Sequence, residues 1–408
     1  MTPSTPRSRR DLVSRRSLLG LAGAAAVGSA LLDPAWFRSE QRLSSDDDDA
    51  WPMSRGGPER TGFAERGPTE EVGVAWHRDL GDSFPGLALP VAVADETVYT
   101  ATRYAVHALD AADGTPRWEY GLSGEGWFGS DFFQSGTHFV QSPPVVGDEG
   151  VYICAGSDLF AVGSRGTARW QYDTSSSFED VLVVGNTAYF TSNLDSETLV
   201  ALDTDSGVPR WTDTPAPILP RAYGDGLLVG PTLDRDEGVL RAVSAETGTT
   251  QWSRELTLAD PYRLVPTVAD GTVFYGDTTL YALDAETGET RWTYETPDDS
   301  GLAPVVAGDT VYVVAEFSGL VVALDAETGE VRWERTVERA ESVESPAVTA
   351  DTLYLAAGRA AIGLDTSDGT ERFRVGVPGG GVDSFALAGG TLYVGSGETV
   401  VALREGER

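Results

Sequence analysis

Side chains that move protons, hold metals or attack carbon are few in this sequence of 408 residues, and none is spaced for joint work. The three histidines, His77, His107 and His138, show no HxxxH pattern, so a histidine metal site has no frame. The single cysteine, Cys154, lies in the apolar run "VYICAG", has no disulfide partner, and reads as a small buried hydrophobe. Carboxylates are plentiful. Asp131, Asp298 and Asp299 of "TPDDSG", and Glu341 and Glu344 of "ERAESVES", all precede an apolar strand and so share one face of any repeat. Hard cations such as calcium take carboxylate oxygens. In a chain with 63 acidic residues, scattered surface acids are the simpler account. The most distinctive cluster is aromatic: Trp127, Phe128, Phe132, Phe133 and Phe139 crowd the Gly/Ser-rich stretch "EYGLSGEGWFGSDFFQSGTHFVQ". Aromatics in such a loop either anchor a partner or tuck under the fold as a plug, and both roles stay open.

The elements that must carry these groups are written as a repeat. Residues 283–292 read "LDAETGETRW" and residues 324–333 read "LDAETGEVRW". Aligned on its last aromatic, the unit recurs at Trp76, Trp118, Trp170, Trp211, Trp252, Trp292, Trp333 and Phe373, in steps of 42, 52, 41, 41, 40, 41 and 40. A period near 40 denotes stacked supersecondary units. Before each aromatic of a full unit lies an apolar run entered through a Gly, Asp or Asn turn, such as "ADGTVFYG" or "AGDTVYVVAE", the signature of a short β-hairpin. No stretch after residue 50 keeps a helical period. The unit is four antiparallel strands, one propeller blade. Eight "ALD"-type strands, and a tryptophan strand "EVGVAWHRD" with no hairpin before it, predict an all-β, eight-bladed β-propeller over residues 72–408. The N-terminal strand closes the ring and removes exposed sheet edges.

Within the unit each residue type has a mechanical role. The aspartate ending the third strand (Asp110, Asp203, Asp284, Asp325, Asp365) is placed to accept turn N–H groups. The glycine four residues before the aromatic (Gly114, Gly166, Gly207, Gly248, Gly288, Gly329, Gly369) supplies backbone angles that other residues avoid. The aromatic then lies between adjacent blades. Arginine precedes it at 117, 169, 210, 291, 332 and 372; alternation turns it to the opposite face, toward a neighbouring acid. The 52-residue step holds eleven more residues than the usual 41, and the excess is the aromatic stretch.

Charge and the N-terminus set the compartment. The chain has 30 basic residues, all arginine, against 63 acidic ones, a net charge of −33. Such a surface suits molar salt, where the Debye length falls to roughly 3 Å, and points to an extreme halophile, a haloarchaeon. It also excludes nucleic acid, whose binding needs a basic footprint. Residues 1–32 read as a signal peptide: an arginine-rich start, an apolar run from Leu18 to Leu32, and small residues at Gly28 and Ala30. Ser14-Arg15-Arg16 followed by Ser17-Leu18-Leu19 resembles the twin-arginine export motif. An uncleaved N-terminal anchor is the alternative, and would be the chain's only membrane contact. Residues 33–50, with "SSDDDDA", read as an acidic disordered linker, and 51–71 as a lead-in segment.

The unit "ALDAETGETRW" resembles the tryptophan-docking repeat of the pyrroloquinoline-quinone (PQQ) enzyme superfamily, and "WPMSRGGPERTG" at 51–62 is similar to the segment before the first blade in those proteins. The resemblance spans residues 51–408. It implies that the repeat is a joint and that Trp76 and its equivalents lock blade to blade. For the catalytic members it also implies PQQ, a calcium ion held by Glu and Asn side chains, an Asp base and, in many, a vicinal Cys pair. This chain has one cysteine and two asparagines, Asn186 and Asn193, neither in a ligand motif, so no catalytic residue carries over. The expectation is therefore the non-catalytic, BamB-like branch: an exported, cell-surface or extracellular monomer without cofactor, binding an unidentified extracytoplasmic protein or small ligand. The alternative is a PQQ-dependent dehydrogenase of alcohols or sugars.

Overall fold

Apolar runs of five or six residues, cut by Gly- and Asp-bearing turns, leave the chain little choice but stacked hairpins. The computed structural model describes residues 42–43, 49–81, 91–122, 140, 142–174, 180–192, 198–212, 218–232, 238–256, 264–276, 278–295, 304–315, 318–338, 340–341 and 346–407. They fall in one compact unit, Glu40–Arg408. Every regular element among them is a strand, and the strands form eight antiparallel sheets. Blade 1 consists of Val91–Ala94, Thr97–Ala101, Ala105–Asp110 and Pro116–Gly121, bonded in that order. The next five blades repeat the pattern. In blade 7 the first strand is split into Ala340–Glu341 and Ala347–Val348, both paired with Thr352–Ala357. Blade 8 takes Ser384–Ala388, Thr391–Ser396 and Thr399–Glu405 from one end of the chain and Val72–Asp79 from the other. Val72 stands opposite Glu405 and Asp79 opposite Thr399, so the N-terminal strand closes the ring. First strands of neighbouring blades lie side by side, and the last meets the first.

The expected signal segment 1–32 lies outside the described residues. Of the stretch 33–50, only 42–43 and 49–50 are described. That stretch is not solvated throughout. Leu43 is buried, its N–H donating to Asp148 O at 2.8 Å. One apolar residue among charges gives composition nothing to flag.

Each blade is fastened to the next by the repeated unit. The Trp292 indole donates to Ala326 O of the following blade at 3.0 Å. The same bond joins Trp76 to Ala111, Trp118 to Ser164, Trp170 to Thr204, Trp211 to Ala245, Trp252 to Ala285 and Trp333 to Thr366. In every blade but the fourth, whose second strand Leu227–Pro231 has no aromatic, a tyrosine or phenylalanine from that strand packs on the ring, as Tyr312 does on Trp333 at 5.9 Å between centroids. Several of these tyrosines donate to the same carbonyl as the indole: Tyr152 to Thr204, Tyr189 to Ala245 and Tyr393 to Ala111, each at 3.2 Å. The turn glycine makes room. A Cβ on Gly329 would meet the Trp292 ring at 2.7 Å, and its φ of 73° is left-handed.

Third and fourth strands slip register beside the aromatic in every blade. Ala282 faces Trp292 while Leu283 faces Thr290, which leaves Arg291 as the extra residue of a β-bulge. Simple alternation, from which the sequence reading placed this arginine, is therefore broken at the arginine itself. Its Nη2 meets Asp284 Oδ2 at 2.8 Å, and Arg117–Asp110, Arg210–Asp203, Arg332–Asp325 and Arg372–Asp365 repeat the pair within their own blades. The other carboxylate oxygen takes the turn: Thr287 N donates to Asp284 Oδ1 at 2.9 Å. Blade 2 has Gly163 in place of the aspartate, and Arg169 reaches Glu149 of its own blade and Asp205 of the next instead. Blade 4 lacks both partners, with Ser244 and Gln251 at these positions.

Candidate functional site

In a propeller the middle of the ring is where a ligand is most easily enclosed, and the innermost strands turn unpaired N–H and C=O groups toward it. Here those groups are taken by the chain itself. Trp51 exchanges both backbone bonds with Val93 of blade 1, at 2.7 and 2.8 Å. Val146 of blade 2 donates to Pro52 O, Tyr223 of blade 4 to Pro58 O, Val268 of blade 5 to Glu59 O and Val306 of blade 6 to Thr61 O. Val348 of blade 7 donates to Gly62 O and accepts from Ala64 N. A short segment that reaches the first strands of six blades runs across the axis. Arg60 adds blade 3, its Nη2 lying 3.6 Å from Asp180.

The segment is irregular because a ring offers it no straight edge. Trp51 and Met53 are fully buried. Arg55 and Arg60 hold left-handed backbones, φ 62° and 61°, a conformation that L-residues avoid. Gly62 is left-handed too, and a Cβ there would press on Val305 and on Pro346 O. Both arginine side chains are buried. Arg55 Nη1 donates to Val265 O at 3.0 Å, and Nη2 to Thr267 Oγ1 at 2.7 Å and to Pro304 O. Burial, with the Arg60 charge adding to it, pulls the Arg55 guanidinium down to about 9, so it stays charged at neutral pH. Arg60 Nε donates to Arg221 O at 3.0 Å and Nη1 to Ser54 O at 2.6 Å. The two arginines thus serve as anchors of the segment, held by backbone and hydroxyl oxygens.

These residues do not fit a quinone with calcium. Backbone groups of the first strands of six blades are engaged with residues 51–64, and no group of three His, Cys, Asp or Glu side chains converges among the described residues. Asn186 sits in an exposed turn, where its own carbonyl accepts from Thr204 N and from Arg210 Nη2. Asn193 lies outside the described residues.

The aromatic stretch is reached only at its ends. Trp127, Phe128, Phe132, Phe133 and Phe139 lie outside the described residues, as do Asp131, Asp298, Asp299, Glu344 and His138. Glu341 is placed by its backbone alone, opposite Ala356. The described flanks of the stretch are both pinned to one turn of blade 1: Leu122 N donates to Tyr104 O at 2.6 Å and Val140 N to Arg103 O at 3.0 Å. That turn joins second to third strands, so the stretch leaves and returns on the face opposite the Asp–Arg turns. His77 is exposed on the closing strand. His107 is held down by burial and shares a 3.1 Å hydrogen bond with Thr102 Oγ1. Cys154 is buried, which pushes its thiol far up and makes it inert.

The axial role of 51–64 was missing from the sequence reading. A tryptophan and a methionine in a Gly/Pro-rich stretch signal burial, but an aperiodic segment does not say against what.

The family model described as outer membrane protein assembly factor BamB matches residues 73–214, 236–372 and 317–407. No curated protein sequence matches the chain. Among solved structures, BamB from Moraxella catarrhalis is similar over 83% of this chain and 98% of its own, with a TM-score of 0.63 at 20% identity. The quinohemoprotein alcohol dehydrogenase ADHIIG from Pseudomonas putida HK5 gives 0.65 at 14% identity, over 90% of this chain and 81% of its own. The computationally designed Ika8 protein gives 0.62 at 14% identity, over 80% and 99%. At such identities the likeness is one of fold, and it spans BamB, an alcohol dehydrogenase and a designed protein.

Proposed function

The chain belongs to the PQQ-like propeller family described as outer membrane protein assembly factor BamB, and on that premise we propose that it is a non-catalytic scaffold. It presents its loops to a protein or small ligand outside the cytoplasm, at the cell surface. One observation carries this reading: residues 51–64 occupy the inner edges that would surround a cofactor, so binding falls to the faces of the disc. The aromatic stretch 123–139 is the favoured surface, because both its flanks are fixed to the Arg103–Tyr104 turn and the aromatics between them are suited to anchoring a partner. The arginine-rich N-terminus and the surplus of acids are the support for export into a salty medium.

The test titrates the exported chain with PQQ and calcium in molar salt, followed by tryptophan fluorescence and a dye-linked alcohol and glucose assay. The scaffold reading expects no saturable quenching and no turnover; one-to-one binding with turnover overturns it. In the same protein, Phe132→Ala with Phe133→Ala is expected to lose capture of a surface partner while melting unchanged. A lowered melting point would make the stretch a plug instead.

A further inference from the structure

Two hollows lie side by side on the face that carries the Asp–Arg turns, and Phe63 of the axial segment lines both. The first, of about 350 Å³, lies among the first hairpin turns of blades 4, 5 and 6, and Asp225 and Asp270 line it together with Glu59. The second, of about 430 Å³, lies between blades 6 and 7, with Tyr312, Trp333 and Ala350 beside Phe63. The two differ in chemistry. Arg332, in the second, is already held by Asp309 and Asp325, each at 2.7 Å, which leaves the character of that hollow to its aromatic and aliphatic groups. In the first, Asp225 and Asp270 are exposed, and neither pairs with an arginine among the described residues. Both hold left-handed backbones, φ 50° and 45°, in tight Asp-Gly hairpin turns, so their carboxylates stand on rigid elements. Phe63 is only half-buried, although Trp51 and Met53 of the same segment are turned fully inward.

In a chain with 63 acids, one aspartate without a base is ordinary. Two in one hollow with an aromatic ring, and an apolar hollow sharing that ring, make a surface in two parts. An arginine suits the first part, because a guanidinium pairs with carboxylates and stacks on an aromatic face at once. A large apolar side chain suits the second. In an extended chain, side chains two residues apart point the same way and lie roughly 7 Å from each other, which matches adjoining hollows. Nucleic acid is repelled by the acids, and a bare cation finds no group of three ligating side chains among the described residues. We propose that this face docks an extended segment of a partner polypeptide, with an arginine over Phe63 beside Asp225 and Asp270. An apolar side chain two residues along lies against Trp333 and Ala350. The site rests on the scaffold reading and adds a second docking face to it, since the flanks of the aromatic stretch are fixed on the opposite face.

The experiment selects a phage-displayed library of random peptides on the exported chain in molar salt, where a Debye length of roughly 3 Å leaves only charges in contact. The binders are expected to carry an arginine two residues from a leucine, phenylalanine or other large apolar residue. A synthetic, labelled copy of the leading binder is then followed by fluorescence anisotropy. Asp225→Asn with Asp270→Asn is expected to weaken it by about tenfold or more with the melting midpoint unchanged, since asparagine also accepts left-handed turns. Ala350→Glu, at an exposed turn of the apolar hollow, is expected to weaken it likewise. Phe132→Ala with Phe133→Ala, on the other face, is expected to leave it unchanged. Binders without a basic residue, binders indifferent to the two asparagines, or no binder at all overturn the site. If the Phe132 and Phe133 variant still loses its surface partner in that case, the scaffold reading stands and only this second face falls.

Discussion

Between the sixth and seventh blades, Trp333 donates to Thr366 O at 2.8 Å, Tyr312 reaches the same carbonyl at 3.4 Å, and Gly369 lies under the indole. Between the seventh and eighth, Phe373 has no N–H to give. It also has no turn to give it to, since Thr399–Glu405 and Val72–Asp79 come from opposite ends of the chain. Tyr354 packs on Phe373 much as Tyr312 packs on Trp333, at 6.1 against 5.9 Å, but it donates to Pro68 O at 3.0 Å. Glu405 Oε1 accepts from Thr69 N and Oγ1 and from Glu70 N, and Gly406 N donates to Glu71 O. Where the repeat runs out of turns, the single-copy N-terminal segment supplies the partners. The same segment crosses the axis a few residues earlier. The ring is thus held in two ways: a lock copied around its rim, and one irregular strap through its middle and across its seam.

Six substitutions, in four comparisons, sharpen or break that contrast. The largest effect is expected in the strap. Trp51→Ala removes a fully buried indole and should cost about 3–5 kcal/mol, read by guanidinium denaturation. Trp292→Ala, at a half-buried rim lock, should cost less; the reverse order would make the strap ornamental. Next comes Gly329→Ala, which forces a side chain into a left-handed turn and against Trp292, at about 2–4 kcal/mol. Smaller still, Trp333→Phe deletes one indole bond and should cost about 1 kcal/mol, whereas Phe373→Trp should gain nothing because no carbonyl awaits it.

The smallest effect is in pH. The Arg291 and Arg332 guanidiniums, with turn N–H groups, hold Asp284 and Asp325 down to about 2. Carboxylates depressed in the folded state stabilise it above their unfolded pKa, near 4, and lose that contribution as pH falls through 2. Asp325→Asn should therefore differ from wild type at pH 5 and converge with it below pH 2, by denaturation midpoints. As these pairs are about one-third exposed, the gap at pH 5 should be the slightest of the four effects.

What could be read in the sequence divides along the same line. The rim was legible because it is copied: a repeat of 40 residues fixes strand number, hairpin turns, the Asp–Arg pair and the ring's closure before any coordinate is known. Its finer geometry was not. The β-bulge at Arg291 changes register without changing spacing, so alternation does not run through it, although the expected pair with a neighbouring acid forms. Phe373 stood in the repeat as an ordinary docking aromatic, and its difference emerges only from the missing turn opposite it. The strap was illegible for the converse reason. Trp51, Arg55 and Arg60 occur once and have no period, and Arg55 finds its partners more than 200 residues away, at Val265 and Pro304 among others. A contact set by ring closure leaves no trace in local pattern.

The central claim is that residues 51–64 fill the axis, and native-state hydrogen exchange tests it most directly. The amides of Val146, Tyr223, Val268, Val306 and Val348 donate only into that segment, so they should exchange as slowly as amides inside the hairpins, through global opening alone. If they exchange as quickly as exposed turn amides such as Glu286 and Glu327, the axis is open and the scaffold reading loses its main support.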